Sequence, residues 1–432
     1  MTRDTEAVLI IAAATLAAFG MTLVNIAGQG GVDAQVGLTF LVVVIAFGGF
    51  HLAIRAFAPE ASTSLLAPAA LVTMFGLVEI YRLNPVRAGL QRWWLLIGAA
   101  LGVAVLVWLS RTGTDVLRRY RNITLAAAIV LLLAPMLPSD WPLPIRGLTV
   151  NGSRLWIELN LGFTTLNFQP GEIAKVAFVI FLAGYLADRR VALIEARRRI
   201  GPLAVPEPRQ LLPLVVVWGA TLAILVGQRD LGASLLLFAV FVAMLYAATG
   251  QSGYLTGGLF LTLVGAVGSW RVFDHVQRRV TGWLDPLSDF ENAGFQVAQG
   301  MFGLGTGSLS GSGPGLGRPD LIPNAITDFI FAAVGEEFGF AGTVAVLSAY
   351  ALMVAAGFGI ALRARDRFHK LLAAGLTLTF GIQTFLIIGG VLRVVPLTGI
   401  TLPFMSYGGS SLVGNFVLVA ILLRVSHEEA TG

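Results

Sequence analysis

Twelve runs of apolar residues, most of them close to 20 residues long and nearly free of charge, recur along this chain of 432 residues. They fall at about 7–26, 36–57, 63–81, 93–110, 122–138, 171–187, 211–226, 231–248, 253–269, 328–361, 371–393 and 411–426. A helix rises about 1.5 Å per residue, so roughly 20 such residues cross a ~30 Å hydrocarbon core. Charged residues make up only 12% of the chain, against roughly 25% in a soluble domain. No ten-residue segments alternate in polarity, which argues against a transmembrane barrel. The fold class read from this pattern is an all-α polytopic membrane protein with about 12 transmembrane helices. The run at 328–361 exceeds what a bilayer needs and is expected to tilt or to extend into water. The first run is too long for a signal-peptide core and lacks a small-residue cleavage site, so it reads as a retained span.

An even number of spans leaves both termini on one side. With the termini inside, 17 basic residues fall on the inner side and 11 on the outer. The excess is strongest in the short loops, where such a bias sets orientation, and both termini are therefore expected to be cytoplasmic. The net charge of +5 is accounted for by these loops and does not imply nucleic acid. Two long segments, about 139–170 and 270–327, then lie outside. Cysteine is absent, which removes disulfides, thiolate ligands and cysteine nucleophiles. No 20–50-residue repeat appears, nor any H-E-x-x-H or G-x-S-x-G pattern.

The outer segments carry the polar residues. Asp328 stands where the second one re-enters the membrane, after Pro323 and Thr327. Two roles fit it: a helix N-cap, or a partly desolvated carboxylate suited to general-base work. Glu336 and Glu337 follow about 12 Å deeper along the same helix. Acidic groups there either form an ion pair with a neighbouring helix or face a polar site. The glycine-rich run from Gly303 to Gly317 matches no nucleotide-binding pattern and reads as a flexible connector or as backbone approaching a sugar or phosphate. In the first outer segment, Glu172 and Lys175 share a helix face and either satisfy each other or leave Lys175, with Arg154, to meet an anionic headgroup. Gln228-Arg229-Asp230 makes a short turn that adds a charge pair to the same side.

Together these segments resemble the SEDS family, the RodA and FtsW proteins of bacterial cell-wall synthesis. Arg154-Leu155-Trp156 with Phe168-Gln169-Pro170-Gly171-Glu172-Ile173-Ala174-Lys175 resembles the family's FQPSE-x-x-K region, and Gln228-Arg229-Asp230-Leu231-Gly232 its QPDLG. Leu284-Asp285-Pro286 and Gly294-Phe295-Gln296 resemble LDP and GYQ, and Thr327-Asp328-Phe329-Ile330-Phe331 with Gly335-Glu336-Glu337 resembles TDFIF-x-x-x-GEE. The stretch from Pro396 to Ser411 resembles PLTG-x-x-LPF-x-SYGGSS almost throughout. The matches keep family order over roughly residues 63–426. Three departures stand out. Asn324 and Ile326 replace a Glu-x-His, Arg229 and Gly171 replace a proline and a serine, and two spans precede the family's ten. The chain thus divides into a two-span extension at 1–60 and a core at 61–432 that holds the large extracytoplasmic loop at about 270–327. The extra pair and the PLTG sequence resemble the actinobacterial RodA type more than FtsW.

The resemblance implies a peptidoglycan glycosyltransferase in the bacterial cytoplasmic membrane, with its active site on the extracytoplasmic face. It would polymerise lipid II into nascent glycan beside a class B penicillin-binding protein, the transpeptidase that crosslinks the strands. The family's catalytic aspartate falls on Asp328. A β-1,4 bond made from an α-linked donor inverts the anomeric centre, so one carboxylate suffices as base on the acceptor 4-hydroxyl. Charge on the departing pyrophosphate needs fixed cations, for which Arg154, Lys175, Arg278 and Arg279 are candidates. The expected substrate-binding set is Arg154, Gln169, Glu172, Lys175, Arg279, Gln296, Glu336, Glu337, Ser406 and Tyr407. A divalent cation, Mg or Mn, held by Asp328 and Glu336 is a further expectation; no organic cofactor is expected. The hydrophobic groove would meet prenyl tails and membrane lipids. Competing readings are a lipid II flippase, an FtsW-type polymerase of cell division, and a scaffold for the penicillin-binding protein.

Overall fold

The computed structural model describes residues 2–431 except 29, 32, 139–144, 151–152, 161–164, 196, 201–202, 207 and 293. Each apolar run lies on a helix. α1 (Arg3–Ala27) leads to α2 (Ala34–Val43), which passes through a π-turn at Val44–Gly48 into α3 (Gly49–Phe57). α4 (Leu66–Leu83), α5 (Pro85–Thr112), the short α6 (Asp115–Arg119) and α7 (Arg121–Leu133) follow. Three strands, β1 (Ile145–Val150), β2 (Ser153–Asn160) and β3 (Thr165–Phe168), precede α8 (Gly171–Glu195). A hairpin of β4 (Arg197–Ile200) and β5 (Leu203–Pro206) precedes α9 (Pro208–Gly227), α10 (Leu231–Thr249) and α11 (Ser252–Val272). The rest comprises α12 (Asp274–Leu284), α13 (Phe295–Gly307), α14 (Ile330–Arg363), α15 (Arg367–Val391) and α16 (Gly409–Thr431). Among the described residues, nine helical stretches are long and apolar enough to cross a membrane, with α2 and α3 counted as one. The chain is a helical integral membrane protein.

The backbone forms two compact units. The first holds residues 1–111, 267–357 and 383–432, the second residues 112–266 and 358–382. In the first, small residues let helices approach closely, as membrane packing requires. A Cβ on Gly20 of α1 would come within 2.9 Å of Val78 on α4. One on Gly98 of α5 would come equally near the Phe416 ring of α16. Phe416 is fully buried, with Phe47, Phe50 and Phe404 at centroid distances of 5.5, 5.7 and 5.2 Å. In the second unit α8 packs with α7 and α10, and a Cβ on Gly375 of α15 would meet Met244 and Val179 at 2.7 Å. Trp218 of α9 stacks on Phe241 of α10 at 5.6 Å and 14°.

Three expectations change. The segment 139–170 contains an antiparallel sheet ordered β1-β2-β3, with Arg146 opposite Glu158 and Leu148 opposite Trp156. Leu155, Ile157 and Leu159 alternate with polar or amphipathic neighbours, but this period-2 signal is too short to register against whole spans. The segment 270–327 is not an open loop, because α12 and α13 occupy much of it. The long final run of that region folds as α14, which bends at Gly339 (φ 67°). The bend exposes the amides of Phe340 and Ala341, and these bond the carbonyls of Ser308 and Leu309 at 2.9 and 3.2 Å. A kink at membrane depth survives when the freed groups find such partners.

Candidate active site

Asp328 lies just before α14, in the turn that begins after Pro323. Its carboxylate does not cap that helix. It accepts from the Thr327 hydroxyl at 3.0 Å and is further bonded by the Gln296 side chain and its own backbone N–H. Burial pushes the Asp328 carboxyl above the usual aspartate range, because the charged form loses water. The hydrogen bonds and the charge of Arg279 pull the other way without cancelling this. The carboxylate is therefore both hydrogen-bonded and partly desolvated.

Each partner is itself held. Gln296 opens α13 and donates to the Pro323 carbonyl at 3.2 Å. Arg279 of α12 donates to the carbonyls of Leu397 and Thr398 at 3.3 and 3.1 Å, tying α12 to the PLTG turn. Ser406 is buried; its Oγ donates to the Thr327 carbonyl at 2.5 Å and accepts from Leu402 N at 2.9 Å. The Tyr407 amide donates to the Ile326 carbonyl at 2.8 Å. Ser406 and Tyr407, expected to bind substrate, thus hold the backbone on which Asp328 stands. Tyr407 lies half-buried under Arg87, whose guanidinium carbon is 5.4 Å from the ring.

Glu336 and Glu337 are likewise committed to structure. Glu336 Oε1 accepts from the Arg318 amide at 2.6 Å. Glu337 accepts from the Gly315 amide at 2.8 Å and from Arg82 of α4 at 3.3 Å. Their carbonyls accept from Ser312 and Gly313 at 2.9 and 3.0 Å. The glycine-rich run is therefore clasped to α14 rather than left as a flexible connector. Glycine is required there: Gly311 has φ 82°, and a Cβ on it would strike the Glu337 carbonyl. Glu336 Oε1, of the expected cation pair with Asp328, is already bonded to the Arg318 amide of this run. Among the described residues no three His, Asp or Glu side chains converge as a metal site.

The remaining expected residues belong to the second unit. Glu172 and Lys175 form a 2.9 Å ion pair, each side chain 8% exposed, so the self-satisfied reading holds for them. Arg154 is exposed on β2, and Gln169 is half-buried between β3 and α8. Asp230 caps α10 through Ala233 N at 2.9 Å, while Arg229 takes a left-handed conformation (φ 62°). Sequence reasoning missed Glu79 and Arg82 of α4. Two charged residues at i and i+3 across the end of an apolar run were the available signal.

The model of the FtsW, RodA and SpoVE family, described as cell cycle protein, matches residues 62–431. The chain belongs to the FtsW/RodA/SpoVE family. Within this family, the peptidoglycan glycosyltransferase RodA of Mycobacterium tuberculosis is 40% identical, covering 98% of this chain and 90% of its own. A solved chain from a peptidoglycan synthase complex that coordinates polymerization and crosslinking is 25% identical, with a TM-score of 0.67 over 86% of this chain and 99% of that one. The rod shape determining protein RodA of Thermus thermophilus shares the FtsW/RodA/SpoVE fold at 23% identity. Its TM-score is 0.58, covering 85% of this chain and 97% of that one.

Proposed function

We propose that this chain is a peptidoglycan glycosyltransferase of the RodA type that polymerises lipid II, with Asp328 as general base. The full-length likeness to mycobacterial RodA carries the activity. The desolvated, hydrogen-bonded carboxylate of Asp328 supports the residue assignment.

In the proposed step Asp328 takes the proton from the 4-hydroxyl of the incoming sugar as that oxygen bonds the anomeric carbon of the growing glycan. The bond from that carbon to the lipid pyrophosphate breaks, and the configuration inverts. Arg279, fixed by two carbonyls, favours the ionised form of the carboxylate and offers positive charge to the substrate. Arg154 and Lys175 belong to the second unit, and the step is built from residues of the first. Gln296 orients Asp328 rather than the sugar. A Mg or Mn ion, when bound beside Asp328, would add positive charge for the departing pyrophosphate.

The inward excess of basic residues supports an active site on the extracytoplasmic face of the bacterial cytoplasmic membrane. A glycan polymerase makes no crosslinks, and a solved relative works in a complex that couples the two reactions. A class B penicillin-binding protein is accordingly the proposed partner. Cell elongation is favoured over division, since identity is 40% to mycobacterial RodA and 34% to a Geobacter FtsW.

The test gives purified full-length protein and its partner labelled lipid II and measures glycan chains for wild type and Asp328→Asn. The expected result is long chains with wild type and none with the variant. Full polymerisation by Asp328→Asn would remove the base assignment. Transbilayer movement of lipid II without polymerisation would favour a flippase.

A further inference from the structure

We propose that Gln91 of α5, far from Asp328 in sequence, is a positioning residue for the catalytic turn. This rests on the reading of Asp328 as the base. Gln91 is only 2% exposed, and both ends of its amide are used on one short loop. Its Nε2 donates to the Ser406 carbonyl at 3.0 Å, and its Oε1 accepts from the Gly408 amide at 3.1 Å. The two bonds fix residues 406–408 as a neighbouring strand would, although that segment has no regular structure of its own.

Two of these three residues carry the Asp328 segment. Ser406 Oγ bonds the Thr327 carbonyl at 2.5 Å, and Tyr407 N bonds the Ile326 carbonyl at 2.8 Å. Gln91 is thus two hydrogen bonds from the backbone beside Asp328. Its neighbours on the same face of α5 touch the same loop: Arg87, four residues earlier, covers the Tyr407 ring, and Trp94, three later, closes against Gly409. A face at i, i+4 and i+7 therefore reads residues 406–409 continuously. Helix packing needs only apolar contact there. A buried amide matched at both ends fixes register, because leaving either backbone group unpaired is costly.

Three measurements on the full-length protein with its partner test this: lipid II polymerisation kinetics, amide hydrogen exchange and thermal unfolding. Gln91→Met keeps the volume and removes both bonds. It is expected to lower kcat about tenfold or more, since small displacements of a catalytic group cost rate steeply, with KM within about twofold. Exchange should rise in peptides covering 323–329 and 402–409 and remain unchanged elsewhere. Gln91→Glu keeps the acceptor for Gly408 and regains a donor for Ser406 only when protonated. Its rate relative to wild type should therefore climb as pH falls, which simple loss of packing would not produce.

Wild-type kcat in Gln91→Met, unchanged exchange in the two peptides, or faster exchange throughout the chain would each overturn the proposal. If Gln91→Met does not fold, Gln91→Glu decides alone, and a pH-independent rate ratio would count against the clamp. Asp328→Asn run in parallel separates the two ideas. Full activity there refutes the base, whereas the exchange data still report whether Gln91 holds the turn.

Discussion

The role proposed for Asp328 depends on a balance that single substitutions can tip. Burial raises its pKa, and Arg279 opposes the rise. A base must be ionised, so kcat/KM should fall as pH drops through that raised value, above the ~3.9 of a free aspartate. Replacing Arg279 with Gln removes the opposing charge, raises the pKa further and moves the acid limb to higher pH. A pH–rate profile of the two proteins checks the direction. Stability carries the opposite sign. A carboxyl whose folded pKa is raised favours folding at low pH and costs stability once ionised. Asp328→Asn should therefore raise the unfolding temperature at neutral pH, and the gain should shrink as pH falls through the folded pKa. Thermal unfolding at several pH values measures it.

At the scale of elements, α13, α14 and the glycine-rich run form one packed assembly. A Cβ on Gly307 of α13 would collide with the Gly335 carbonyl of α14. Gly307→Val should cost about 2 kcal/mol or more by overpacking, seen as a lower unfolding temperature in detergent. Arg82 bonds both Glu337 and the Gly317 carbonyl, and the buried Glu79 carboxylate lies in the same field with neither oxygen hydrogen-bonded among the described residues. Removing the cation leaves buried acids uncompensated, so Arg82→Ala should cost roughly 3 kcal/mol. Adding Glu79→Gln should recover part of that loss. Equal stability of the single and double variants would show that Glu79 does not feel Arg82.

At the scale of the molecule, the N-terminal pair is tied to the rest of the first unit. Arg3 donates to the Ala61 carbonyl at 2.5 Å, Tyr81 to Asn25 at 2.8 Å, and a Cβ on Gly315 would press on Ala27 and Val24. Deleting residues 1–60 should lower both unfolding temperature and polymerisation rate, because it uncovers α4 and one side of the glycine-rich run. Wild-type activity in the truncated protein would mark the pair as dispensable to the core.

Hydrophobic runs announced the helices because a membrane span leaves little choice: every backbone group must be paired within the segment. Asp328 and Gln296 were legible through motif resemblance, and Arg279 as one of the candidate cations of the outer segment. The sequence by itself determined a helical membrane protein of this family and singled out Asp328 as the carboxylate proposed to react. Only the tertiary structure decided the work of Ser406, Tyr407, Glu336 and Glu337, which hold backbone where substrate contacts were expected. It alone brought Gln91 and Arg82 to residues more than 200 positions away. The physical reason is that hydrogen bonds to backbone carbonyls and amides carry no side-chain signature on the partner. Such contacts become visible only when the chain is folded and the two groups meet.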